Sequence, residues 1–214
     1  MTEDQRQTLL AEAEIPTRYG QLRLRVFTDS LGKEHVAAVA GKIAGRTGVL
    51  CRIHSECLTS EIMGSLKCDC REQLETALER IGQEGGVVIY LRQEGRGIGL
   101  ANKVRAYSLQ NQGVDTVDAN RMLGLPDDLR CYQLAGEILQ EIGVESVRLM
   151  TNNPNKIRGL TDAGVPIDGH EPLICDVDGL ARGYLEVKRD RMGHLIPGAW
   201  HPPNAPKRPA NKQA

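Results

Sequence analysis

The sequence predicts an α+β domain in which a mixed β-sheet is layered with helices, and three observations carry that expectation. Strand-like segments crowd the first quarter of the chain, whereas the strongest helical periodicities follow residue 70. Near residue 150 a strand, an Asn-Asn-Pro turn and a helix succeed one another as half of a βαβ unit. The length, 214 residues, suits one domain with small decorations.

Residues 20–29 read as a strand because Leu22, Leu24 and Val26 alternate with Gln21, Arg23 and Arg25. Residues 35–40 and 49–53 read as two more. The clearest helix spans 71–83: Leu74, Ala77, Leu78 and Ile81 share one face, charges occupy the other, and Gly85-Gly86 ends it. A buried strand over 87–91 leads into Gln93-Glu94-Gly95-Arg96-Gly97-Ile98-Gly99, and a helix is expected over 100–112. Residues 132–142 form an amphipathic helix carrying Leu134, Ile138, Leu139 and Ile142, closed by Gly143. The strand at 147–150 turns through Thr151-Asn152-Asn153-Pro154 into a helix ending at Gly164. Residues 1–14 are expected to be an N-terminal extension, 15–196 the domain, and 197–214, rich in Pro, Asn, Lys and Ala, a disordered tail.

Hydrophobic and charged contents of 40% and 26% are those of an ordinary globular chain. Aromatic residues make up only 3%, with one Phe and one Trp, so the core must come from Leu, Ile, Val and Ala. A net charge of -1 offers no basic excess for nucleic acid or a membrane surface; an anionic ligand has to be held by a local positive cluster. No apolar run approaches the roughly 18 residues of a membrane span, and the start is polar and acidic. A cytoplasmic location is expected, where the six cysteines are thiols or metal ligands rather than disulfides.

Three cysteines cluster: Cys57, then Cys68-Asp69-Cys70. Soft thiolates suit zinc, and three ligands leave a fourth position for water, whose pKa zinc lowers to about 7. Small buried residues with a coincidental Cys-x-Cys spacing are the bland alternative. Cys51, Cys131 and Cys175 stand alone, and His54, beside the cluster, is expected to hydrogen-bond rather than ligate. Arg92 to Arg96 lies at a strand end, where glycines permit close approach and arginines can grip phosphate, although a charged turn reads the same way. Thr151 to Pro154 with Lys156 is both a helix N-cap and a place where anions bind.

Taken together, the segments closely resemble GTP cyclohydrolase II. They are Arg52-Ile53-His54-Ser55-Glu56-Cys57-Leu58-Thr59, Cys68-Asp69-Cys70, Arg92 through Leu100, Asn102-Lys103-Val104-Arg105-Ala106-Tyr107, Asp115-Thr116-Val117-Asp118-Ala119-Asn120 and Thr151-Asn152-Asn153-Pro154. The likeness runs from about residue 15 to residue 195. It implies a single domain of that family's type, GTP as substrate, Zn²⁺ and Mg²⁺ as cofactors, and a homodimer, with no nucleic-acid or membrane partner. The implied reaction removes C8 of GTP as formate, releases pyrophosphate and opens riboflavin synthesis.

The resemblance makes Cys57, Cys68 and Cys70 the zinc ligands, and Tyr107, Asp128 and Arg130 the catalytic residues. Tyr107 would orient water or move a proton near C8, Asp128 would be the acid/base carboxylate, and Arg130 would serve phosphate cleavage. A protonated arginine is a poor nucleophile, so an electrostatic role suits it better than a covalent one. The implied nucleotide-binding positions are Arg52, Ile53, His54, Ser55, Glu56, Gln73, Glu94, Gly95, Arg96, Thr116, Thr151 and Lys156, with Glu94 and Gln73 as candidate readers of the guanine edge. Cys131 and the run Gly169-His170-Glu171 depart from the family pattern, and 214 residues leave no room for the second domain many relatives carry. Two alternatives stand beside this reading: a paralogue that keeps the formyl group on its product, and a non-catalytic GTP-binding protein with a structural zinc.

Overall fold

The structure is a computed structural model that describes residues 8–126, 128–173 and 175, with the side chains of Thr8, Thr116 and Val117 outside the description. Seven strands make one mixed sheet: β1 Thr8–Thr17, β2 Gly20–Thr28, β3 Glu34–Ala40, β4 Val49–Ser55, β5 Gly86–Leu91, β6 Val147–Met150 and β7 Ile167–Glu171. Their order is β1-β2-β3-β5-β4-β6-β7. The pairs from β1 to β5 are antiparallel, and β5, β4, β6 and β7 run parallel. This is the expected α+β arrangement with a mixed sheet.

The helices are α1 Leu58–Glu61, α2 Cys70–Glu84, α3 Leu100–Gln110, α4 Thr116–Met122, α5 Gln133–Ile142 and α6 Pro154–Asp162. Helix α2 packs Ala77 and Ile81 onto one sheet face, against Leu22, Ala38, Leu50 and Val88. Helices α5 and α6 cover the other face, where Ile138, Leu139 and Leu160 meet Phe27, Ala37, Ile53, Ile89 and Leu149. The core is therefore split by the sheet into two layers. Central strands buried on both faces lose their polar alternation, as β5 does with five of its six residues buried. Phe27 is fully buried on the face opposite Leu22, so β2 contributes apolar residues to both layers rather than to the single face its alternation predicts.

Element boundaries fall within two residues of expectation, and Gly143 ends α5 in the left-handed conformation (φ 81°) that L side chains avoid. Two strands were not anticipated. β1 begins inside the segment expected as an extension and runs past its end at residue 14, and its Ala-Glu-rich sequence favours helix in isolation. It is an edge strand held by its pairing to β2. β7 completes the β6-α6-β7 unit of which the sequence disclosed half. No helix among the described residues is long and apolar enough to cross a membrane. The expected tail at 197–214 lies outside the described residues.

Candidate active site

The carboxyl ends of three adjacent parallel strands, β4, β5 and β6, open onto one cavity of about 350 Å³. Strand ends at the switch of a parallel sheet are where open α/β sheets hold ligands, because the loops diverge there and leave a crevice. The end of β4 and the chain after it bring Arg52, His54, Ser55, Glu56 and Cys57, chain leaving β5 brings Glu94 to Arg96, and chain leaving β6 brings Thr151 to Asn153, followed by Lys156.

Cys57, Cys68 and Cys70 form one wall. Their sulfurs all lie within 4.8 Å of one another, with Cys57 Sγ 3.6 Å from Cys68 Sγ. Three thiolates each about 2.3 Å from a tetrahedral zinc would stand about 3.8 Å apart, so the spacing fits such an ion. Hydrogen bonds from Cys68 and Cys70 hold Cys57 well below the usual thiol range, with Lys103 adding to the effect, while the same contacts push Cys68 and Cys70 up. One thiolate is thus already favoured by the protein alone. His54 is not part of the cluster: its Nε2 meets Glu61 Oε1 at 2.9 Å, as expected of a hydrogen-bonding histidine.

The turn after β5 is strained. Gly95 (φ 61°) and Arg96 (φ 62°) are both left-handed, and Arg96 is the one non-glycine residue with positive φ among those described. Such a conformation costs an L residue about 1–2 kcal/mol and persists only where its surroundings enforce it. Here Leu129 N donates to Arg96 O at 2.9 Å, and Gly97 (φ 88°) has no Cβ to collide with Leu129. The turn is thereby clamped to the loop carrying Asp128 and Arg130. Glu94, 9% exposed, folds back: Oε1 accepts from Gly95 N (2.7 Å) and Lys103 Nζ (2.8 Å), and Oε2 from Leu58 N (2.7 Å).

Tyr107, on α3, reaches the same cavity, and its hydroxyl lies 3.4 Å from Thr59 Oγ1, which is 3.8 Å from Cys57 Sγ. Burial pushes its pKa up to about 12, so it keeps its proton at neutral pH. Arg130 also lines the cavity and is gripped by Asp128: Nε donates to Oδ1 at 2.9 Å and Nη2 to Oδ2 at 2.5 Å. Burial works to raise the Asp128 pKa, but Arg130 and Arg96 outweigh it and hold the carboxyl below its ordinary value. Asp128 itself faces a neighbouring pocket rather than the cavity, so it touches the site through Arg130.

The other predicted residues divide clearly. Arg52, His54, Ser55, Glu56, Gln73, Thr151 and Lys156 line the cavity with Glu94, Gly95 and Arg96. Ile53 does not: its side chain is fully buried in the core, and its carbonyl accepts from Lys156 Nζ at 2.7 Å. The Thr116 side chain lies outside the described residues. Arg52 Nη1 donates to Met150 O (2.9 Å) and Nη2 to Gln73 Oε1 (2.5 Å), while Gln73 Nε2 donates to Asp69 Oδ2 (2.6 Å), between two of the cysteines. Both expected guanine readers, Glu94 and Gln73, therefore carry internal partners. Arg52 Nε, His54 Nδ1 and Ser55 Oγ are buried without a hydrogen-bond partner among the described residues. Unsatisfied buried atoms are costly, at about 1–3 kcal/mol each, and a polar ligand in the cavity would remove the cost.

The residue reading missed Lys103, Lys67, Thr59, Glu61 and Asn120 as parts of the site. A signal for Lys103 existed: it precedes Tyr107 by four residues, one helical turn, and shares its face. Glu61 gave none. It collects His54, Tyr90 (2.6 Å) and Cys57 N (2.8 Å) only because three segments fold onto it.

Comparison with known proteins agrees with this geometry. A sequence profile described as GTP cyclohydrolase II matches residues 7–172. GTP cyclohydrolase-2 of Picrophilus torridus is 47% identical over 187 residues, covering 87% of this chain and 97% of that protein. The riboflavin biosynthesis protein RibBA of Endomicrobium trichonymphae is 48% identical over 87% of this chain, which spans 47% of that longer protein. Among solved structures, RibBX, a two-domain 3,4-dihydroxy-2-butanone 4-phosphate synthase from A. baumannii, is 20% identical with a TM-score of 0.46, covering 82% of this chain and 42% of that one. With the profile across most of its length and relatives near half identity, the chain belongs to the GTP cyclohydrolase II family.

Proposed function

We propose that this chain hydrolytically opens the imidazole ring of GTP, releasing formate and pyrophosphate and leaving 2,5-diamino-6-ribosylamino-4(3H)-pyrimidinone 5′-phosphate, the first committed step of riboflavin biosynthesis. One water opens the ring, a second frees formate, and a third cleaves the bond between the α- and β-phosphates. The observation that carries this reading is convergence: three cysteine sulfurs, a protonated tyrosine and a carboxylate-gripped arginine face one cavity. Its volume lies within the roughly 300–1,000 Å³ of small-molecule sites.

Zinc, when held by Cys57, Cys68 and Cys70, supplies Lewis acidity and an acidified water at C8. Tyr107, with its hydroxyl fixed by Thr59, holds a proton it can lend to the ring nitrogen that becomes an amine. His54 presents an acceptor to the ligand: its Nε2 proton points to Glu61, which leaves Nδ1 a lone pair. Burial depresses its pKa to about 4, so the ring stays neutral in use. Arg96 and Lys156 would offset triphosphate charge, a task that Mg²⁺, when bound, would share. Arg130 places a fixed cation at the cleaving phosphate, and Asp128 works through it, because both carboxylate oxygens are committed to the guanidinium. A homodimer in the cytoplasm completes the reading, on the strength of the family resemblance.

The test is mass spectrometry of the products formed by zinc- and magnesium-loaded protein from GTP, with formate and pyrophosphate assayed alongside. The deformylated diaminopyrimidinone with both small products is expected. A formylated pyrimidine, or GTP recovered intact, would overturn the proposal.

A further inference from the structure

The cysteine wall and the strained turn follow different strands, and Lys103 bridges them beside a direct contact from Leu58 N to Glu94. Lys103 Nζ lies 3.1 Å from Cys57 Sγ and 2.8 Å from Glu94 Oε1. Glu94 in turn accepts from the backbone N–H of Leu58, the residue after Cys57, at 2.7 Å. The contacts close a ring: Cys57, Lys103, Glu94, Leu58 and back to Cys57. The Lys103 and Glu94 side chains are 12% and 9% exposed, so water screens the pair poorly.

Charge gives the ring its purpose. A divalent ion with three thiolate ligands carries one net negative charge, and the Glu94 carboxylate places another on the same wall. Without a cation between them the two would repel in a poorly solvated pocket. Outer partners that hydrogen-bond metal ligands fix ligand orientation and tune the metal, and an ammonium can do so to a sulfur and a carboxylate at once.

Resting on the functional reading above, we infer that Lys103 is a positioning residue of the metal centre: it offsets the excess charge of the three thiolates and locks Glu94, and so the nucleotide-binding turn, to Cys57. Metal affinity and the placing of Glu94 then share one side chain, beside the backbone contacts that also hold the turn. Lys103 needs no contact with substrate for this.

The experiment measures zinc affinity by competition with a chromophoric chelator, kcat and KM for GTP at saturating zinc, and Tm. The proteins are wild type, Lys103→Met, Lys103→Arg and the double variant Lys103→Met/Glu94→Gln. Lys103→Met is expected to weaken zinc binding about 10–100-fold, the usual cost of losing such an outer partner, and to lower kcat more than it raises KM. Lys103→Arg, which keeps the charge, should recover part of both. The double variant, which leaves no buried carboxylate unpaired, should recover Tm but not zinc affinity. Zinc affinity and kcat within about twofold of wild type in Lys103→Met, with only Tm lowered, would overturn the inference, since losing a hydrogen-bonded partner of a metal ligand costs about 10-fold or more. If wild type holds zinc but leaves GTP intact, the functional reading falls, and the zinc ratio alone decides on Lys103. If wild type holds no zinc, both fall.

Discussion

The antiparallel half of the sheet and the parallel half differ in burial and more sharply in use: residues 9–16 of β1 are exposed, whereas β4, β5 and β6 are largely buried. β1, β2 and β3 contribute no residue to the cavity lining, whereas the ends of β4, β5 and β6 supply most of its chemistry. The difference follows from direction. Antiparallel neighbours connect by tight turns such as Asp29 to Lys33, which fold their polar groups onto themselves. Parallel neighbours send their chains out at the same end, so three loops and a helix start meet over one crevice. The halves still touch, since His35 of β3 accepts from Arg92 N at 3.1 Å and braces the turn after β5. The antiparallel strands act as a scaffold, and the strain and unpaired polar atoms described above gather on the parallel side.

Substitutions should separate the halves sharply. The largest effect is expected for Cys68→Ser, which removes a thiolate from the metal wall: formate release should be lost, beyond the roughly 100-fold drop of an outer-partner loss. An active, metal-free variant would dissolve the distinction between the halves. Next comes Tyr107→Phe, expected to slow formate release by about 10²–10⁴-fold, the usual share of a positioned proton donor, with GTP binding retained by calorimetry.

Effects on stability should be smaller. His54 has its folded pKa depressed to about 4 by burial, against 6.5 when exposed. Below 6.5 the unfolded chain binds a proton that the folded chain refuses, so stability should fall as pH drops from 6.5 to about 4 and then level for this group. His54→Gln should flatten that limb in denaturant titrations followed across pH. In the scaffold, Phe27→Leu should cost about 1–1.5 kcal/mol by chemical denaturation and leave kcat of the folded protein untouched. A drop in kcat would mean that the antiparallel layer shapes the site after all.

The smallest change in stability is expected for Arg96→Gly. It relieves about 1–2 kcal/mol of left-handed strain and gives back about 0.5–1 to chain entropy. Tm should therefore hold or rise slightly while KM for GTP increases. A clear loss of Tm would show that the Arg96 side chain, rather than its neighbours, holds the turn.

Most of the frame was legible in the order of residues. Alternation, the helical spacing of α2 and α5, and the glycines and Pro that end or begin helices depend on near neighbours in the chain, and local rules read them well. It also named the thiolates, since Cys68 and Cys70 are nearly adjacent, and the family likeness placed Tyr107 and Arg130 in one ordered set. β1 and β7 escaped because nothing local announces them: one is rich in Ala and Glu, the other is a five-residue polar segment, and each is a strand only because a neighbour offers it a ladder. Only the packing of distant segments put Ile53 in the core and set Asp128 against Arg130 rather than in the cavity. It alone set Arg96 in a strained turn and tied Cys57, Glu94 and Lys103 together across 46 residues of chain. Those outcomes depend on where strand ends meet in space, and the free energy that fixes them resides in contacts between segments that no local pattern records.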